Sequence, residues 1–158
     1  MSVNFILKAF FIIPAILSSA EIGSFNVKRE LSSSKLFFPD KVVIHKFADP
    51  KIQGVACYLS VIETGGFKGA IGIAEDPNQT SIACRQVGKI EIGDIDRSEE
   101  GENVFSEKQS LFFKHLKVRR IYDATNEVIL YVAYSERILD GSYETGISAI
   151  PLYGQSGR

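Results

Sequence analysis

The sequence has no surplus of either charge: 18 Lys and Arg stand against 19 Asp and Glu in 158 residues, a formal net charge of −1. A nucleic-acid binder needs a basic excess or stripe to meet phosphates, and none is present. An anionic membrane surface selects for the same feature, so the balance argues equally against electrostatic membrane binding. After the first twenty residues no apolar run approaches the length that crosses a bilayer. Histidine is scarce, with only His45 and His115. His45 sits within a strand-like run and is read as a half-exposed structural histidine, and His115 has no acid or nucleophile at a telling distance, so neither is assigned a catalytic role. Signatures that commit a chain to a reaction are missing too. There is no Gly-x-Ser-x-Gly nucleophile elbow, no phosphate loop ending in Gly-Lys-Ser/Thr, and no dinucleotide fingerprint. No repeat, low-complexity tract or long linker divides the chain, and its length suits one domain rather than two.

What is present begins with a leader. Lys8 is the only charged residue before Glu21. Ala9-Phe10-Phe11-Ile12-Ile13-Pro14-Ala15-Ile16-Leu17 forms an apolar stretch, and Ser18-Ser19-Ala20 places small residues at positions −3 and −1 of a cut before Glu21. Residues 1–20 are therefore expected to be a secretory signal peptide, residues 21–151 one domain, and residues 152–158 a disordered tail. A transmembrane anchor is the competing reading, and a buried core segment a third. The stretch falls well short of the ~20 residues a spanning helix needs, and Pro14 interrupts it. No cysteine stands at the cut, which rules out lipid attachment there. Cleavage removes Lys8 alone among the charges. It leaves 17 basic residues (18 − 1) against 19 acidic ones, a net charge of −2, and no stable membrane insertion.

The two cysteines, Cys57 and Cys84, both fall in the expected mature chain. In an oxidising compartment an even count with one possible pairing reads as a disulfide. Closing a loop of about 28 residues is worth roughly 3–4 kcal/mol in the chain-entropy account. Two separately buried thiols are the alternative. A metal pair is disfavoured, because neither cysteine has a His or second Cys in ligand spacing.

The mature part reads mainly as strands. Lys41-Val42-Val43-Ile44-His45-Lys46-Phe47 is β-branched and ends at the turn signal Ala48-Asp49-Pro50. Gly54 to Ile62 is a longer apolar run, expected to be a central strand buried on both faces. Leu116 to Tyr122 and Val128 to Tyr134 flank the polar residues 123–127, which predicts a hairpin with Tyr122, Tyr131 and Tyr134 packed across it as aromatic neighbours. Ile147-Ser148-Ala149-Ile150 before Pro151 suits a final edge strand. Residues 77–84 fit either a short helix capped by Asp76 or a turn into a strand. Residues 96–103 read as a charged surface loop. The expected fold is mainly β: a single-domain, curved or barrel-like antiparallel sheet with at most one or two short helices.

The densest glycine segment is Thr64-Gly65-Gly66-Phe67-Lys68-Gly69-Ala70-Ile71-Gly72-Ile73-Ala74-Glu75-Asp76. Glycines let successive backbone N–H groups turn toward one anion, and Lys68 adds a charge, as in anion-binding nests. Gly65, Gly66, Lys68, Gly69, Gly72, Glu75 and Asp76 are thus the candidate ligand loop. The competing reading is a structural turn with bends that only glycine tolerates. Glu75 and Asp76 are adjacent carboxylates, poorly placed for paired acid–base work if both lie on one strand. No catalytic, cofactor-binding or metal-ligating residue is assigned.

Several stretches resemble the CreA family of bacterial exported proteins. They include Glu21-Ile22-Gly23-Ser24, Asp49-Pro50, Gly54-Val55-Ala56-Cys57-Tyr58-Leu59-Ser60, Thr64-Gly65-Gly66-Phe67-Lys68-Gly69 and Gly72-Ile73-Ala74-Glu75-Asp76. Ile82-Ala83-Cys84-Arg85-Gln86-Val87-Gly88, Ile121-Tyr122-Asp123-Ala124, Ala133-Tyr134-Ser135 and Ile147-Ser148-Ala149-Ile150-Pro151 continue the likeness in order. Residues 26–38 fit it least. The resemblance implies the bacterial cell envelope, hence the periplasm, and brings no biochemical activity or catalytic residue with it. It places both cysteines inside family motifs. Two readings of function follow: a non-enzymatic binding or accessory module, with an envelope protein or a small anionic ligand as partner, or a small hydrolase-like enzyme using Glu75, Asp76 or Lys68. Neither calls for a cofactor.

Overall fold

A computed structural model describes residues 20–27, 40–63, 75–104, 116–136 and 145–154, with backbone alone for 75–79. The strands are β1 (Ala20–Val27), β2 (Asp40–Ala48), β3 (Ile52–Glu63), β4 (Glu75–Ile92), β5 (Glu102–Asn103), β6 (Leu116–Asp123), β7 (Val128–Ser135) and β8 (Thr145–Pro151). They form two antiparallel sheets in the simple orders β1-β2-β3-β4 and β5-β6-β7-β8. The two sheets do not close into a barrel, and no helix occurs among the described residues.

Period-two alternation decides which side chains meet between the sheets. Val43 and Phe47 of β2, then Val55, Cys57, Leu59 and Val61 of β3, point inward with Ile82 and Cys84 of β4. They share one core with Leu116 and Val118 of β6, Ile129, Tyr131 and Ala133 of β7, and Ile150 of β8. β3 is interior, as its apolar run predicts. Only Ala56 is fully buried on its outer side, however, while Tyr58, Ser60 and Ile62 are half-buried. Along one side the sheets are joined edge to edge: β4 lies against β8. There the Cys84 N–H donates to Ser148 Oγ at 2.8 Å, a side chain standing in for a ladder carbonyl.

Residues 77–84 lie wholly within β4, so the short-helix alternative is not taken. Pairing with β3 jumps from Ser60↔Ser81 to Ile62↔Asp76, which leaves residues 77–80 in a bulge. Pro77 has no N–H to give a ladder, and an interrupted stretch is where a strand tolerates it. A second jump, from Gln53↔Glu91 to Val55↔Gln86, loops out residues 87–90 opposite Gly54. Gly54 has φ +77°, and a Cβ there would sit 2.1 Å from the Lys89 carbonyl oxygen. Only glycine fits both demands.

The β6–β7 hairpin closes at Asp123↔Val128. Asp123 Oδ1 accepts from the Thr125 and Asn126 N–H groups at 3.0 and 3.1 Å, and Asn126 Nδ2 donates to Oδ2 at 2.8 Å. These bonds give a four-residue turn its shape. The three tyrosines do not form one aromatic cluster: the register puts Tyr131 opposite Arg120, Tyr122 opposite Ile129, and Tyr134 opposite Lys117 on the other face. β8 is the edge strand expected of it. The packed chain continues one residue past residue 151, since Leu152 is buried and its N–H donates to Glu127 O at 2.8 Å.

Candidate functional site

The inward-facing series on β6 is Leu116, Val118, Arg120, so an arginine occupies a core position. Its side chain is 1% exposed. The inward series on β2, Val43, His45 and Phe47, extends by one step to Asp49 in the β2–β3 turn. Arg120 Nη1 donates to both Asp49 oxygens at 2.5 Å, and Tyr131 OH donates to Asp49 Oδ2 at 2.9 Å. The Lys51 N–H closes the turn on Asp49 Oδ1 at 2.8 Å. One carboxylate from the first sheet thus meets an arginine and a tyrosine that are cross-strand partners in the second. A charge-assisted, multiply bonded pair of this kind offsets the cost of taking both ions out of water.

Glu102 completes the cluster. It accepts from Arg120 Nη2, from Lys51 Nζ at 2.6 Å, and from the Asp96 N–H at 2.8 Å. Residues 96–101 form the surface loop expected, whereas Glu102 turns inward on the two-residue strand β5. Gly101, with φ +62°, makes this possible: a Cβ there would lie 2.0 Å from the Arg120 carbonyl oxygen. Burial alone would raise the Glu102 pKa, but the bonds from Lys51, Asp96 and Arg120 outweigh it and hold the carboxyl down at about 2. Burial likewise works against the Arg120 charge, and Asp49 and Glu102 more than restore it, so its pKa rises. Tyr131 is driven upward by burial and then by Asp49, which keeps the phenol protonated as a donor. Lys51 also lines a shallow hollow of about 420 Å³ with Pro50, Gln53, Glu91, Ile92, Gly93 and Asp94.

Cys57 and Cys84 stand directly opposite each other on β3 and β4, with their sulfurs 2.06 Å apart, and both are fully buried. Of the candidate ligand loop, Gly65, Gly66, Lys68, Gly69 and Gly72 lie outside the described residues. Glu75 and Asp76 open β4, where they pair with Glu63 and Ile62. His45 is buried rather than half-exposed, and burial lowers its pKa. His115 lies outside the described residues. Among those described, no group of three His, Cys, Asp or Glu is placed to hold a metal, and no helix is long and apolar enough to cross a membrane.

Sequence reasoning missed the Asp49–Arg120–Tyr131–Glu102 cluster, although one signal was there. In phase with Leu116 and Val118, Arg120 had to point inward, and a buried arginine needs an anion. In the sequence Asp49 marks only a turn, and nothing local to Glu102 marks it as a partner of Arg120.

The chain matches the CreA protein family profile over residues 26–155. It is 44% identical over 121 residues to Protein CreA of Escherichia coli strain K12, covering 75% of this chain and 77% of that protein. The same figures hold for Protein CreA of the O6:H1 strain CFT073 and of the O157:H7 strain. No solved structure matches the chain. A family match across most of the two-sheet domain, with relatives this similar over three quarters of the chain, leaves one conclusion: the chain belongs to the CreA protein family.

Proposed function

We propose that the chain is exported to the bacterial periplasm with residues 1–20 removed, and that the remaining domain is a binding or accessory module rather than an enzyme. The observation that carries the second part is the neutrality of the buried cluster. Two cations, Arg120 and Lys51, meet two carboxylates, Asp49 and Glu102, and every charge has a counter-charge in contact. A general acid or base works best with a pKa near the operating pH. Glu102 is held far below that range, and Tyr131 and Arg120 are pushed above it. Export is supported by the facing cysteines, whose pairing needs an oxidising compartment.

The glycine-rich residues 64–76 remain the proposed contact surface, with Lys68 as the charge that meets an anionic partner. Purified mature protein offered a panel of esters, phosphate esters and peptides should show no turnover that Lys68→Ala, Glu75→Ala or Asp76→Ala removes. Turnover that tracks any of these three substitutions would establish the hydrolase reading instead.

A further inference from the structure

Glu102 is held by three donors that do not belong to its own strand. Lys51 Nζ comes from the β2–β3 turn, Arg120 Nη2 from β6, and the Asp96 N–H from the segment after β4. Two cations and a backbone N–H converging on one carboxylate make a cradle for a carboxylate in general. One of the donors, Arg120, is anchored independently of Glu102. Arg120 is fixed from behind by both oxygens of Asp49, and Asp49 by Tyr131 OH and the Lys51 N–H. Glu102 stands on a strand of two residues, paired through Glu102↔Arg120 and Asn103↔Arg119 and followed by the buried Val104, whose N–H donates to Val118 O at 2.8 Å. Its side chain is 24% exposed, between Arg120 at 1% and Lys51 at 42%.

Two further observations point the same way. Arg120 Nε is buried with no hydrogen-bond partner, a donor left over on the very guanidinium that faces Glu102. Buried donors in native proteins are nearly always satisfied, so this one calls for an acceptor that the described residues do not supply. The hollow of about 420 Å³ nearby shares one residue with the cradle, Lys51, which is 42% exposed.

We propose that Lys51, Arg120 and the Asp96 N–H form a carboxylate-binding site in which Glu102 is the resident, displaceable occupant. The inference rests on the reading of the domain as a binding module and names a ligand class for it: a small molecule or chain end bearing a carboxylate. Departure of Glu102 leaves Arg120 and Lys51 with one carboxylate in contact, Asp49, and the exposed Asp96 carboxylate nearby; a single ligand carboxylate replaces the contact that is lost. A tethered competitor acts at high effective concentration, so the intact protein binds free carboxylates weakly until β5 moves aside.

Sodium formate is the probe, with sodium chloride at equal ionic strength as control, and the Asp96 amide resonance in NMR spectra is the readout. In the unaltered mature protein formate should shift this resonance saturably, with weak affinity. In Glu102→Ala, where the competitor is gone, the affinity should be at least about tenfold higher. Formate should also raise that variant's thermal midpoint more than chloride does. Glu102→Gln, which refills the cradle without charge, should lack that rescue. A shift no different from that with chloride in the unaltered protein overturns the proposal whether or not Glu102→Ala folds. So does equal affinity in the two proteins. Neither result touches export or the absence of turnover, so the broader reading stands or falls separately.

Discussion

At the scale of single residues, the cluster around Asp49 makes unequal demands on its members. Replacing Arg120 by Met leaves a buried carboxylate without its counter-ion, which should cost about 3–5 kcal/mol. Replacing Tyr131 by Phe removes one donor from a carboxylate that keeps Arg120 and the Lys51 N–H, and should cost about 1.5–3 kcal/mol. Urea denaturation of both variants checks the order, and equal losses would mean that Arg120 is not the keystone. Glu102 adds a pH dependence of definite sign. Its native pKa of about 2 lies below the ordinary 4.5, so the unfolded chain binds the proton more readily. The stabilisation is complete above 4.5 and is lost as pH falls toward about 2. Denaturation midpoints across that window should fall more steeply for the unaltered protein than for Glu102→Gln. Parallel slopes would contradict the assignment.

At the scale of elements, β4 is the irregular one. It pairs continuously with β3 only from Ser81 to Gln86, around Cys84, with a bulge on either side. Gly54 is what lets the second bulge approach β3. Gly54→Ala therefore meets both a positive φ and a backbone oxygen, and should destabilise by more than about 1 kcal/mol. Gly23, open on all sides, is the control: Gly23→Ala should change the thermal midpoint little. A neutral Gly54→Ala would mean that the bulge is pliable. The same contrast explains what the sequence made legible. The hairpin of β6 and β7, the strand at β2 and the interior strand β3 were readable because alternation and β-branched composition are local signals. β4 was not, because its bulges are set by what β3 presents across the sheet. The inward turn of Glu102 was hidden for a similar reason, since its partners lie 51 residues before it and 18 after. The core arginine alone left a trace in the local pattern.

At the scale of the whole molecule, the inner faces of two four-stranded sheets share one core, bound along one side by Ser148 and across the core by Asp49 and Arg120. The facing cysteines lie within the core, where the chain-entropy account gives their link roughly 3–4 kcal/mol. A domain assembled this way suits a compartment where thiols are oxidised. The cysteine pair is in keeping with the proposed export, the first part of the functional reading. Intact-mass measurement of the protein recovered from the periplasmic fraction, without reduction and again after it, tests this most directly. The account predicts a chain beginning at Glu21 that gains the mass of two hydrogens on reduction. A full-length chain in the membrane fraction, or a mass unchanged by reduction, would contradict it.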